Sequence, residues 1–196
     1  MDNKKRELHK TRPIRLRAIE QEDLPLLKKW RNELRHFFRE YRLLTDANQL
    51  KWYNSIQDDR RFIHYAIDVW EGDGWHLIGS CNWSNINWVS RHAEVGRYIG
   101  DPEYRGKGLG LKMTVELHRI AFQDLNMNTV RGEMWAYNTH NIKFLRKFGY
   151  KEVGRYRNAM FYQGRFWDSV LVDMTREEWD VLWDDKYSKH GDDAHA

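Results

Sequence analysis

Residues 92–110 read His92-Ala93-Glu94-Val95-Gly96-Arg97-Tyr98-Ile99-Gly100-Asp101-Pro102-Glu103-Tyr104-Arg105-Gly106-Lys107-Gly108-Leu109-Gly110, and this stretch decides the fold. Its first eight residues are a β-rich run. Its last six place glycine at every second position and open a helical pattern over residues 108–124, in which Leu109, Met113, Leu117, Ile120 and Ala121 recur on one face while Lys112, Glu116, Arg119 and Gln123 take the other. Alternate glycines let the main chain adopt unusual dihedrals and come close to a ligand, and a helix start presents N–H groups with a partial positive charge. A strand, loop and helix of this kind suit a pyrophosphate, and Arg105 and Lys107 add two cations within one turn. The spacing excludes a P-loop, because Lys107 is followed by Gly108 where a magnesium-binding hydroxyl is required. A dinucleotide fingerprint would put its third glycine at Leu111, and the strands that precede the loop are hairpin-connected, not a βαβ unit.

Working outward, residues 15–19 predict a first strand, and the acids of 20–23 start a helix that continues through Leu24, Leu26, Leu27 and Trp30. A second helical stretch covers 47–56. Strands at 62–70 and 75–82 join across Gly72-Asp73-Gly74, and a third, 92–99, follows. Downstream lie a strand at 129–136, a helix capped by Asn138 that stops at Gly149, and a closing hairpin that turns at Gln163-Gly164. This order predicts an α/β (α+β) fold, one mixed, mostly antiparallel twisted sheet of six to seven strands flanked by helices. A single domain is expected over 13–187, between polar tails at 1–12 and 188–196.

The loop Arg105-x-x-Gly108-x-Gly110 resembles the acetyl-CoA loop of the GNAT N-acetyltransferases, Arg/Gln-x-x-Gly-x-Gly/Ala, and lies between the expected strand and helix. Ala93-Glu94-Val95-Gly96, Asn138-x-x-Asn141 through Phe148-Gly149-Tyr150, and Gly164-Arg165-Phe166-Trp167-Asp168 are similar to three further segments of the RimJ/RimL-like branch, in the same order. The resemblance implies acetyl-CoA as co-substrate, held by Tyr98, Ile99, Arg105, Gly106, Lys107, Gly108, Leu109, Gly110, Asn138 and Asn141, with no metal. It also implies that the strand ending at Ile99 pairs its backbone with the pantetheine arm and offers an N–H to the thioester oxygen. A homodimer is implied by the resemblance alone.

Composition narrows the remaining classes. The 196 residues are 41% hydrophobic, enough for a packed domain. No apolar run reaches the roughly 18 to 20 residues of a membrane span, and the polar opening residues lack the apolar core of a secretory signal, so a cytoplasmic protein is expected. Cys81, the sole cysteine, excludes an internal disulfide and a thiolate zinc cage and reads as a buried filler. A net charge of +4 favours anionic partners without choosing among them. Positive charges alternate with acids and no nucleic-acid motif appears, which argues against a nucleic-acid-binding module.

Acetyl transfer needs a neutral, aligned amine, and an ordinary alkyl amine with a pKa near about 10.4 is protonated at neutral pH. Glu94 is the candidate base, with a structural ion pair or a substrate contact as the competing roles; His92 is a weaker alternative. At Leu145 many family members carry a tyrosine that protonates the leaving thiolate. Leucine has no proton to give, which leaves Tyr98 or Tyr150 as substitutes, or water. Acceptor choice is expected to lie in Trp30, Arg31, Phe37, Trp83 and Asn85, from aromatic, amide and arginine-rich segments that suit a polar anionic molecule. Trp30-Arg31-Asn32 and Gln49-Leu50-Lys51-Trp52 resemble segments of nucleotide-aminosugar acetyltransferases. Polyamines are disfavoured by the arginines, and a protein N-terminus or lysine is the competing acceptor.

Overall fold

The computed structural model describes residues 12–38 and 42–188; Arg39, within the first acceptor segment, and most of both expected tails lie outside them. The strands are β1 (Ile14–Ala18), β2 (Ile63–Trp70), β3 (Trp75–Asn87), β4 (His92–Ile99), β5 (Thr129–Trp135), β6 (Lys151–Tyr162) and β7 (Arg165–Thr175). They form one mixed seven-strand sheet in the order β1-β2-β3-β4-β5-β7-β6. Five α-helices flank it among the described residues: α1 (Leu24–Glu33), α2 (Asp46–Ile56), α3 (Leu109–Arg119), α4 (Thr139–Phe148) and α5 (Arg176–Lys186). The chain divides into two compact units, Met1–Ile86 with Val95–Ile120, and Asn87–Glu94 with Ala121–Ala196. None of these helices is long and apolar enough to cross a membrane.

In the first unit β1 and β2 pair antiparallel, Ile14 opposite Val69, and β2 pairs with β3 down to Ile63 opposite Trp83. Asp68, buried on β2, accepts from Arg15 Nε at 2.9 Å and Arg17 Nε at 2.8 Å. Arg17 also donates to Asp23 at 2.7 Å, so one arginine ties the strand pair to the acidic turn that starts α1. On one face Ile19, Leu24, Leu27, Trp30 and Ala66 form a core against which Trp52, Tyr53, Leu77 and Tyr98 pack. Leu109, Met113 and Leu117 of α3 form a second buried stripe, each such side chain contributing about 2 kcal/mol of burial.

In the second unit the parallel ladder of β4 and β5 has three rungs, His92, Ala93 and Glu94 opposite Thr129, Val130 and Arg131. β5 continues antiparallel to β7, and β7 to β6. Val130, Val170, Val172 and Met174 are buried from the sheet, and Ile142, Leu145 and Phe148 from α4.

Three elements differ from the sequence reading. The helix expected to reach residue 124 is α-helical only to Arg119 and then widens into a π-turn over Ile120–Asp124. The extra residue in that turn lets neighbouring Ala121 and Phe122 both point inward, at 0% and 1% exposure. β3 runs on to Asn87 through a positive-φ Asn85. α5 was not foreseen, although Thr175 and Glu178 form a reciprocal capping box and Trp179 is fully buried against Phe122 at 5.6 Å.

Candidate active site

The glycine loop is shaped by its own main chain. Gly106 and Gly108 have φ of +71° and +85°, a region that side chains with a Cβ rarely occupy. Gly108 is the N-cap of α3, and no side chain caps the helix there. The first turn of the helix also carries no acidic residue, which leaves its positive end uncompensated by the helix's own side chains. A Cβ at Gly106 or Gly110 would meet nothing within 4 Å, which leaves room for a ligand at the backbone. The cations differ in use. Arg105 folds back on the end of β4, donating from Nε to the Ile99 carbonyl at 3.0 Å and from Nη2 to the Gly100 carbonyl. Lys107 instead lies 5.5 Å from the ring of Tyr104. The loop thus fits a pyrophosphate through its amides and Lys107, while Arg105 acts as a staple.

The strand that feeds the loop also lines a cavity of about 110 Å³ in the first unit. Gly96 and Tyr98 of β4 form one wall, and Phe38, Trp52 and Leu27 supply apolar surface. Ser80 and Asn82 come from β3, Gln49 from α2, and Arg31 and His64 from α1 and β2. Gly96 is needed there, since a Cβ would overlap the Asn82 amide. The Arg31 guanidinium rests 4.8 Å from the centre of the Phe38 ring, which meets Tyr98 edge-on at 5.2 Å. Burial, reinforced by Arg31, pushes His64 down to about 4, so this imidazole is neutral at neutral pH. Burial likewise raises the Tyr98 phenol well above its usual range and keeps its proton in place.

The residues expected to choose the acceptor fall in different places, and not all of them line this cavity. Arg31 lines the cavity, but Trp30 is 3% exposed in the core, its ring filling the space that a side chain at Gly100 would need. Trp83 is fully buried and meets His118 edge-on at 5.6 Å, because strand alternation turns Ser80 and Asn82 toward the cavity and Trp83 to the opposite face. Phe37 is 42% exposed and its neighbour Phe38 takes the cavity position. Asn85 is exposed, beyond the last β2–β3 rung. Phe38 and Asn82 lie within the segments expected to choose the acceptor, whereas His64, Ser80 and Arg97 were not singled out; for His64 and Ser80 the period-two alternation of β2 and β3 was the available signal.

Along β4, alternation places Glu94 on the face that carries Gly96 and Tyr98. Asn138 accepts from the Asn141 N–H at 3.3 Å and so caps α4 with its side chain. Leu145 is 2% exposed in the second unit, and Tyr150 is buried beside Phe148. Cys81 is 1% exposed, and burial pushes its thiol up, so it is inert filler.

Comparison with known proteins agrees with this architecture. The SPbeta prophage-derived uncharacterized N-acetyltransferase YokL of Bacillus subtilis is 25% identical over 170 residues, covering 86% of this chain and 93% of that protein. The spermidine N(1)-acetyltransferase of Escherichia coli K12 is 28% identical over 164 residues, 81% of this chain and 84% of its own. Among solved structures, the spermidine N-acetyltransferase from Vibrio cholerae in complex with CoA and spermine shares the fold with a TM-score of 0.79 at 21% identity, covering 85% of this chain and 97% of that one. Residues 14–151 match the model of the acetyltransferase (GNAT) domain, and the chain therefore belongs to the GNAT acetyltransferase family and is an N-acetyltransferase.

Proposed function

We propose that this enzyme moves the acetyl group of acetyl-CoA to a primary amine on a polar, anionic small molecule, of which a nucleotide-linked aminosugar is representative. The observation that carries the acceptor class is the cavity lining, which has Arg31 and Arg97 but no carboxylate among its described residues. A polycation within about 6 Å of one arginine meets roughly 3 kcal/mol of repulsion at an effective dielectric constant near 20. That cost weighs against spermidine here, even though two of the similar proteins are spermidine enzymes. The rings of Phe38, Trp52 and Tyr98 offer surface for a sugar or base.

Acetyl-CoA brings the activated thioester; the chain supplies position and proton control. The Gly106–Lys107–Gly108 turn and the start of α3 hold the pyrophosphate, and the backbone of residues 95–99, beyond the last β4–β5 rung, pairs with the pantetheine arm. In this reading Glu94 is the base for the amine proton, directly or through water, and Tyr98, whose phenol keeps its proton through burial, is the candidate donor to the leaving thiolate. The Ala93-Glu94-Val95-Gly96 strand and the Gly164-to-Asp168 turn support placement in the RimJ/RimL-like branch.

The test is release of CoA thiol with a UDP-linked aminosugar, spermidine and a peptide α-amine as acceptors. We expect kcat/KM for the nucleotide aminosugar to exceed that for spermidine at least tenfold. Preference for spermidine overturns the acceptor class, and preference for the peptide moves it to a protein terminus.

A further inference from the structure

Among the polar atoms on the wall of the cavity that are buried without a hydrogen-bond partner are Nε2 of Gln49 and Nε2 of His64. Neither side chain is loose. Gln49 is 3% exposed and stands in the first turns of α2, whose start is closed by reciprocal bonds between Thr45 and Asn48. The His64 ring meets Trp52 edge-on at 5.1 Å and stacks with Phe62 at 6.1 Å. Arg31 adds a cation to the same wall, with no carboxylate partner among the described residues. The Ser80 hydroxyl, by contrast, is already spent on the Tyr65 carbonyl at 3.0 Å.

An amide nitrogen and a guanidinium only donate, and a neutral imidazole donates from Nε2 in one of its two tautomers. Buried donors left unpaired are costly, so their convergence on one cavity calls for a ligand that accepts from all of them. Trp83 Nε1 is also unpartnered, but it lies in closed packing against His118 and does not line the cavity. A group with several acceptor lone pairs and a negative charge fits three donors and one cation. The cavity of about 110 Å³ has room for such a group, not for a whole nucleotide.

We infer that Gln49, His64 and Arg31 form a subsite for an oxyanion, phosphate or carboxylate, on the acceptor molecule, and that this subsite selects which amines are acetylated. The inference rests on the acetyl-transfer reading and names the group by which the acceptor is held. Gln49 and His64 are specificity residues in it, distinct from the loop that takes the coenzyme.

The experiment is calorimetric titration of the full chain, saturated with CoA so that the glycine loop is filled, with inorganic phosphate and separately with malonate. Wild type is expected to bind one of them at millimolar concentration or tighter. Gln49→Leu and Arg31→Met should each weaken that binding at least tenfold, His64→Phe should weaken it as an independent check, and Lys107→Ala should not. Binding of phosphate alone marks a phosphorylated acceptor; binding of malonate alone marks a carboxylated one. The thermal midpoint of Gln49→Leu without anion should be unchanged or raised, since an unpaired buried amide is removed, whereas a structural amide would lower it. Failure of both anions to bind wild type, or equal binding by wild type and the variants, overturns the subsite. Failure of CoA to bind counts against the acetyl-transfer reading instead, and the anion titrations repeated on the Lys107→Ala chain still decide the subsite.

Discussion

The glycine loop before α3 and the cavity lined by α1, α2 and β2 to β4 share one strand yet are built from different material. The loop is main chain: positive-φ glycines, an uncapped helix start and one lysine over a tyrosine ring. The cavity is side chain: two arginines, a histidine, two amides and the aromatic side chains of Phe38, Trp52 and Tyr98. The same unit also shows what a helix start looks like when it serves stability alone, since α2 begins with the Thr45–Asn48 box and Asp46 in its first turn. On the proposed function, a constant group, the coenzyme, is served by backbone geometry that few substitutions alter, and a variable group, the acceptor, by residues that can change without disturbing the loop.

The strongest way to break this division is Gly108→Trp. At φ +85° any side chain is strained, and an indole would fill the phosphate position, so acetyl-CoA affinity should fall by about 100-fold or more, or roughly 2.7 kcal/mol, by calorimetry. Retained affinity would mean that the loop is not the coenzyme site. Glu94→Gln is next: kcat should drop about 100-fold in steady-state assays with the acetyl-CoA KM nearly unchanged, whereas a structural ion pair would show itself as lost stability with kcat preserved.

The cavity, unlike the loop, should make stability respond to acid. Burial and Arg31 hold His64 at about 4 against an ordinary value of 6.5, and burial holds His118 down to about 3. The unfolded chain takes up these protons first, so the stability they confer is full above pH 6.5 and is lost as pH falls from 6.5 toward 4. For His64, partly screened by solvent, we expect a loss of about 2 kcal/mol by urea denaturation, and His64→Gln should flatten that part of the curve. Lys107→Ala should weaken acetyl-CoA only about threefold to tenfold, because the amides carry most of the contact; a larger loss would shift the loop's chemistry from backbone to side chain. Thr45→Ala should cost about 1 kcal/mol of stability and leave coenzyme affinity unchanged.

How far each region was legible follows from the same contrast. The loop and β4 could be read residue by residue, and β4 begins and ends where its pattern predicted, at His92 and Ile99. Arg105 was read as a coenzyme residue from its charge and its place in the Arg-x-x-Gly-x-Gly loop; its turn toward the Ile99 and Gly100 carbonyls depends on how the loop folds back. In the acceptor segments the aromatic residues were singled out as a group, and the structure separates them. Trp30 and Trp83 went to the core and Phe38 to the cavity, because composition does not say which face a residue takes. The helix at 176–186 was legible in its capping box, Thr175 with Glu178.

By itself the sequence determined the fold class, the glycine loop and the order of elements up to the closing hairpin, since these depend on short-range rules: glycine dihedrals, helix caps, and periods of two and 3.6 residues. Only the tertiary structure decided the cavity. Gln49, His64, Arg31 and Asn82 are brought together from four elements, and their meeting depends on strand register and helix docking across tens of residues, which no local pattern encodes.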